Sequence, residues 1–305
     1  MRSAFFNTLL ELAGEDQRVH LVVGDLGFGA VEPFAQRFPD RFLNVGVAEQ
    51  NMTGVAAGLA LCGKIVFTYS IGNFATLRCL EQIRNDVCYH RADVKIVSVG
   101  GGFAYGALGM THHAVEDLAI MRALPGMVVV APGDPFEVEQ ATRAVLTQPG
   151  PCYVRLGRSG EPRLHRPNVV FKLGRAIRVR EGRGLTIISS GGLLETALRV
   201  ADRLAEAGVD ARVVSMHTLK PIDDAEILSA AAETGAIATL EEHSVIGGLG
   251  SAVAEILAES SGRRGRLRRF GAPSTFAARV GRQEYMRAMH GLSPDAIVQS
   301  LQSWL

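Results

Sequence analysis

The sequence predicts two α/β domains in tandem, each a mostly parallel sheet covered by helices, the second smaller than the first. Three observations carry this. Short apolar runs recur along the 305 residues and alternate with helical patterns, as expected of parallel strands buried on both faces. The alternation halts at a polar, basic, proline-containing stretch, RSGEPRLHRPN, and then restarts. A chain of this length, 47% hydrophobic and 21% charged, can bury a core in each of two globular domains.

The first element is an amphipathic helix in MRSAFFNTLLELAGEDQ. Asn7 and Glu11 interrupt its apolar run and no small-residue cleavage site follows, so it does not read as a signal peptide. Strands follow at VHLVVG (19–24), KIVF (64–67), VKIVSVG (94–100), MVVVAP (127–132) and CYVRL (152–156). Helices are predicted between them at about 48–62, 74–89, 114–123 and 135–147. Residues 1–165 make the first domain, 166–184 a linker and 185–305 the second domain. In the second domain, strands at 185–191, 211–216, 236–243 and 266–270 enclose helices at about 194–207 and 248–259. The last helix opens at Ser293-Pro294, an N-cap with proline in the first turn.

Several function classes are disfavoured. The formal net charge is +1, which offers nothing to a polyanion. The run Arg263, Arg264, Arg266, Arg268, Arg269 opens a strand without interleaved aromatics and reads as a solvated edge, not a nucleic-acid surface. The longest apolar stretch, Met52 to Gly63, is too short to span a bilayer. Cys62, Cys79, Cys88 and Cys152 form no CxxC pair and are expected to be buried reduced thiols. The expectation is a cytoplasmic protein that binds neither membrane nor nucleic acid.

The most informative segment is FLNVGVAEQNMTGVAAGLALCGK (42–64). From Val47 to Gly63 it reads as a helix apolar nearly all round, which predicts burial. Gly54, Ala56, Ala57, Gly58 and Ala60 permit close packing against another helix. Glu49 is the only charged side chain between Arg41 and Lys64. A carboxylate buried there must be paired or protonated. A protonatable carboxyl in an apolar cavity is a proton-transfer device, whereas a glutamate opening a helix also favours the helix dipole. Both readings stand on the residues alone.

GVAEQNM followed by a Gly/Ala helix resembles the pyrimidine-binding domain of transketolases and 1-deoxyxylulose-5-phosphate synthases. The likeness continues in the family's order through EQIRNDV (81–87), THHAVEDLAIMRALPGMVVVAPGD (111–134), YVRLGR (153–158), LKPID (219–223) and EEHSVIGGLGSAVAEIL (241–257). The resemblance implies a thiamine diphosphate-binding fold, with a pyrimidine-binding domain followed by a transketolase C-terminal domain. The family's GDG motif, which binds diphosphate and metal, is not in this sequence; Gly24-Asp25-Leu26 and Gly133-Asp134-Pro135 match other parts of the family. A carboxylate and an amide oxygen suit the octahedral shell of a hard cation bridging phosphates. The resemblance therefore implies an N-terminal transketolase subunit that carries GDG and the Mg²⁺ ligands. It also implies self-association through the pyrimidine-binding domain, an α2β2 heterotetramer, and no activity for this chain alone.

By the same resemblance, Glu49 hydrogen-bonds the pyrimidine ring nitrogen and favours the imino tautomer of thiamine diphosphate. Two aromatics usually pack on that ring; here the matching positions are Ile71 and Phe74. His112 matches the histidine that reaches the donor's hydroxyls, with His113 where the family has glutamine. Arg158 matches the arginine on the substrate phosphate, Arg155 being the adjacent alternative. The resemblance also shows a departure: GGGFAYGALGMTHH (100–113) has Gly100 and Leu108 where transketolases have a sugar-binding histidine and aspartate. Losing two hydroxyl-reading groups should change the accepted sugar. The Gly-rich replacement, with Phe103, Tyr105 and Met110, suggests a larger or less polar acceptor, Gly100 to Gly102 giving room or close backbone approach; the alternative is equivalent contacts delivered by the partner subunit. The expected activity is transfer of a two-carbon ketol unit from a phosphorylated ketose. The alternatives are decarboxylating acyl transfer from a 2-oxo acid, as in the synthases and 2-oxo-acid dehydrogenase β subunits, and a non-catalytic regulatory subunit.

Overall fold

The computed structural model describes residues 1–166, 168–262 and 265–305. The first half contains β1 (Val19–Val23), β2 (Phe42–Asn44), β3 (Ile65–Ile71), β4 (Val94–Val99), β5 (Val128–Val130) and β6 (Cys152–Leu156). Its helices are α1 (Arg2–Glu15), α2 (Glu32–Arg37), α3 (Glu49–Leu61), the short turns α4 (Gly72–Ala75) and α5 (Leu80–Gln82), α6 (Asp117–Ala123) and α7 (Pro135–Thr147). β3 and β4 are buried almost throughout, which is why they read as unbroken apolar runs. α7 starts where the sequence signals it. The Asp134 side chain accepts a hydrogen bond from the Glu137 amide, and Pro135 occupies the first turn.

The second half contains β7 (Ile177–Arg180), β8 (Leu185–Ser190), β9 (Ala211–Ser215), β10 (Thr218–Lys220), β11 (Ala236–Ser244) and β12 (Arg266–Ala272). α8 (Leu194–Glu206), α9 (Asp224–Glu233), α10 (Leu249–Glu259), α11 (Gln283–Met289) and α12 (Pro294–Trp304) cover them. Ser293 caps α12 through the Ala296 amide.

Among the described residues the strands form a seven-stranded sheet, β10-β5-β6-β4-β3-β1-β2, and a five-stranded sheet, β12-β11-β8-β9-β7. Only the edge strands β10 and β7 run antiparallel. β10 comes from the second half of the chain yet pairs with β5 of the first sheet. One core cluster joins α3 and α6 under the first sheet to α9 and α10 under the second. A second lies between the first sheet and α1 and α7, and a third packs α8 and α12 on the second sheet.

Three expectations are corrected. The helix expected at 74–89 is broken into α4, a 3₁₀ turn, α5 and a π-helical stretch over Ile83–Cys88. Thr76, at φ −123° and ψ −79°, interrupts it while its hydroxyl bonds the Gly72 carbonyl. α3 is not buried all round: Met52, Thr53, Ala56 and Ala57 face the core, while Gln50, Asn51, Gly54, Gly58 and Leu61 are exposed. Cys62, just beyond that face, is exposed as well, whereas Cys79, Cys88 and Cys152 are buried; all four are free. In the arginine run, Arg266, Arg268 and Arg269 are exposed on the edge strand β12, and Arg263 and Arg264 lie outside the described residues. No helix of the described residues is long and apolar enough to cross a membrane.

Candidate active site

The chain leaves β1 for β2 on one side and returns to β3 on the other. The carboxyl ends of β1 and β3 therefore form a topological switch point, where open α/β sheets leave a crevice for ligands. Glu49 opens α3 over this crevice. It is 1% exposed. The Ser70 hydroxyl, near the end of β3, donates to its Oε1 at 3.3 Å. Gly24, just past β1, backs onto the same side chain, and a Cβ there would lie 3.3 Å from Glu49 Cγ. The buried carboxylate is paired: Arg78 donates to Oε2 at 2.8 Å.

Arg78 is the site residue that sequence reasoning missed. Its guanidinium, on a side chain 44% exposed, also lies 4.3 Å from the centroid of the Phe74 ring. A guanidinium thus lies over Phe74 while donating to Glu49, so one planar group bridges the buried carboxylate and the ring. No local signal announced it, because Phe74 lies in α4 and Arg78 beyond the break at Thr76, and the fold alone brings the two together.

Ile71 is not drawn into this group. It packs with Phe67 and Tyr69 on the α1 and α7 face of the sheet, whereas Ser70 points to the α3 face, as strand alternation requires. His112 does join it. Its ring meets Phe74 edge-on at 5.1 Å and faces Tyr105 at 6.4 Å between centroids. Burial and the neighbouring His113 lower the pKa of His112, so the imidazole is neutral near pH 7 and one nitrogen can accept a hydrogen bond. His113 serves the loop instead. Its buried ring bonds the Gly106 carbonyl at 3.0 Å and packs edge-on against Phe103.

The Gly-rich segment is a place of close approach. A Cβ on Gly100 would lie 2.2 Å from the Tyr105 ring, so Tyr105 fills the space that a side chain at position 100 would occupy. Gly101 is crossed by Arg155 and Gly102 by Glu242 in the same way. Arg155 is buried and committed, donating to Asp117 at 2.8 Å and to the Ala114 and Glu242 carbonyls. Arg158 is exposed and lies 5.5 Å from the Tyr105 centroid. Leu108, 57% exposed, lines with Arg158 a cavity of about 520 Å³. A second cavity, of about 510 Å³, is lined by Phe74 and Arg78 together with Phe103, Met110 and His290. Phe103 itself is buried and stacks on His290 at 4.9 Å. A track of contacts therefore runs from Glu49 through Arg78, Phe74, His112 and Tyr105 to Arg158.

Residues 1–162 match the family described as transketolase, pyrimidine binding domain, and residues 174–297 that described as transketolase, C-terminal domain. The chain is 41% identical over 301 residues to the 6-deoxy-6-sulfo-D-fructose transketolase subunit SqwH of Clostridium sp. (strain MSTE9), covering 98% of this chain and 92% of that one. It is 42% identical over 261 residues to an apulose-4-phosphate transketolase subunit of Phocaeicola vulgatus, covering 85% and 84%. A solved structure described as a split gene transketolase, inactive beta4 tetramer, matches with a TM-score of 0.89 and 40% identity over 99% of this chain and 96% of that one. With both domains matched and relatives aligned over nearly their full lengths, the chain belongs to the transketolase family.

Proposed function

We propose that this chain is the C-terminal-type subunit of a split transketolase. It moves a two-carbon ketol unit from a phosphorylated ketose to an acceptor aldose, with thiamine diphosphate shared between this chain and an N-terminal-type subunit that carries GDG and the Mg²⁺ ligands. The observation that carries the reading is the buried Glu49 carboxylate at the switch point, bridged to the Phe74 ring by the planar Arg78 guanidinium in the space an aminopyrimidine ring would take, with His112 and Arg158 beyond it. When bound, thiamine diphosphate would supply the carbanion chemistry that ketol transfer needs.

This chain's residues do the rest. Glu49 holds a proton at the pyrimidine ring nitrogen, and Ser70 steadies its carboxyl group. Phe74 presses on one ring face and excludes water there. For the cofactor to take that space, Arg78 swings toward solvent, which its half-exposed position permits. His112, neutral, accepts from a substrate hydroxyl next to the reacting carbon. Arg158 holds the phosphate end by bidentate hydrogen bonds.

The acceptor is not the usual pentose phosphate. Gly100, with Tyr105 in the space above it, and Leu108 on the cavity wall support this, since the resemblance puts a sugar-binding histidine and aspartate at those two positions. Both relatives above are named for unusual sugars, which favours the same view. The exposed α3 face, with Gly54, Gly58 and Leu61, and the exposed Val47 and Phe28 of the same domain support self-association through the first domain within an α2β2 assembly. Four free cysteines fit a cytoplasmic setting, where thiols stay reduced.

The test is co-purification with the GDG-bearing subunit, then cleavage of xylulose 5-phosphate with thiamine diphosphate and Mg²⁺, with and without ribose 5-phosphate. Ketose cleavage in the mixture alone is expected, with weak transfer to ribose 5-phosphate. Consumption of pyruvate instead of ketose would overturn the reading in favour of acyl transfer. Cofactor binding without turnover of any ketose would favour a regulatory subunit.

A further inference from the structure

The cavity at the far end of the track joins the two domains. Its wall carries Tyr105, Leu108, Arg158 and Ser159 from the first and Arg282 and Glu284 from the second. Its volume of about 520 Å³ is that of a small-ligand site. The arginines around it divide into two kinds. Arg155 and Arg287 are committed to the buried carboxylates of Asp117 and Glu242. Arg158 and Arg282 form no ion pair among the described residues, and both are exposed. Glu284 is the one carboxylate on the wall, so the lining keeps a net charge of plus one. Leu108 sharpens the effect: the resemblance puts an aspartate at this position, and an aliphatic side chain there removes a negative charge beside Arg158.

We propose that Arg282 is a specificity-determining residue. Together with Arg158 it clamps a terminal tetrahedral oxyanion of the sugar substrate, a phosphate ester or a sulfonate, across the domain boundary. Two guanidiniums lining one cavity, one from each domain, offer paired N–H donors to such a group. Because the anion is then anchored at a fixed distance from His112, the clamp selects sugars by the length between the reacting carbon and the charged end. The proposal rests on the ketol-transfer reading for the sugar, and on the cavity alone for the anion.

The test uses the reconstituted complex and reads kcat/KM for xylulose 5-phosphate divided by that for xylulose. Arg282→Ala lowers this ratio about tenfold through KM, as loss of one charge-assisted contact at a half-open site implies. Arg282→Glu lowers it further, and Arg282→Lys recovers part of it. Arg282 precedes α11 without a side-chain cap bond, so these variants keep the fold. Line broadening of inorganic phosphate in ³¹P spectra of this chain is the readout independent of turnover, and Arg282→Ala abolishes it. Repeating the ratio with 6-deoxy-6-sulfofructose against fructose shows whether sulfonate or phosphate is the native end.

An unchanged substrate ratio and unchanged phosphate broadening in Arg282→Ala overturn the clamp while leaving ketol transfer standing. If the complex turns over no ketose, ketol transfer falls, and the phosphate spectra alone decide the clamp.

Discussion

Replacing Glu49 by glutamine separates chemistry from structure at this site. The carboxylate is 1% exposed and meets two donors, Ser70 at 3.3 Å and Arg78 at 2.8 Å. Glutamine keeps the volume and one acceptor oxygen. What is lost is the ion pair, and its partner is 44% exposed, so Arg78 can turn into water. A pair of that kind contributes about 1 kcal/mol or less, and the removed desolvation cost of the buried charge offsets part of it. The helix-dipole contribution of a glutamate in the first turn of α3 adds about 0.3–1 kcal/mol. The net change is therefore about 1 kcal/mol, a fall in Tm of about 2–4 °C. Turnover responds on another scale. An amide cannot hold a transferable proton at the ring nitrogen, and loss of a positioned acid lowers kcat by about 10²–10⁴-fold. The assay is kcat in the reconstituted complex at saturating thiamine diphosphate, beside a thermal melt of the isolated chain. A variant with kcat within about fivefold of the native enzyme refutes the role. A loss of more than about 3 kcal/mol in the melt shows instead that Glu49 is structural.

Other consequences are equally open to measurement. Gly24→Val drives a branched side chain against Glu49 Cγ, 3.3 Å from the nearest Cβ position; kcat falls about 100-fold, as for a catalytic group displaced by an ångström, and native-like kcat refutes the packing argument. Gly100→Ala meets the Tyr105 ring at 2.2 Å and also places a side chain at φ +87°; the clash costs about 1–3 kcal/mol and Tyr105→Ala relieves that part alone, the backbone strain remaining; fully additive losses by melting contradict this. His165 titrates far from its usual range. Burial alone would lower its pKa, but Asp134 at 3.0 Å and Glu137 at 3.2 Å raise it to about 9. Its contribution to stability is thus complete below the unfolded value of 6.5 and is lost as pH rises through about 9. An NMR titration of the His165 ring that inflects near 6.5 would disprove it.

Much of this fold is legible because buried parallel strands and capped helices leave local signals. The apolar runs at β4 and β6 and the Asp134-Pro135 start of α7 each coincide with an element. β10 is invisible to the same method: three residues carry no periodicity, and their pairing with β5 across the domains is a tertiary choice. The broken segment after β3 misleads because Ile83 and Val87 keep helical spacing and are buried, while the interruption at Thr76 depends on a side-chain bond to the backbone. At the site, Glu49 stands out as a lone charge in an apolar stretch. Its pairing with Arg78, 29 positions away, depends on the chain returning to the switch point. The glycines at 100–102 signal close approach without naming what approaches. Tyr105, Arg155 and Glu242 come from three different elements, and only the assembled fold identifies them.

The central claim is that this chain supplies the pyrimidine half of a shared thiamine diphosphate site. Near-ultraviolet circular dichroism tests it most directly, with thiamine diphosphate and Mg²⁺ titrated into this chain, the GDG-bearing subunit and their mixture. The account predicts a saturable cofactor signal for the mixture alone, abolished by Glu49→Ala in this chain. A full signal from the GDG-bearing subunit without this chain, or one that survives Glu49→Ala in the mixture, would contradict it.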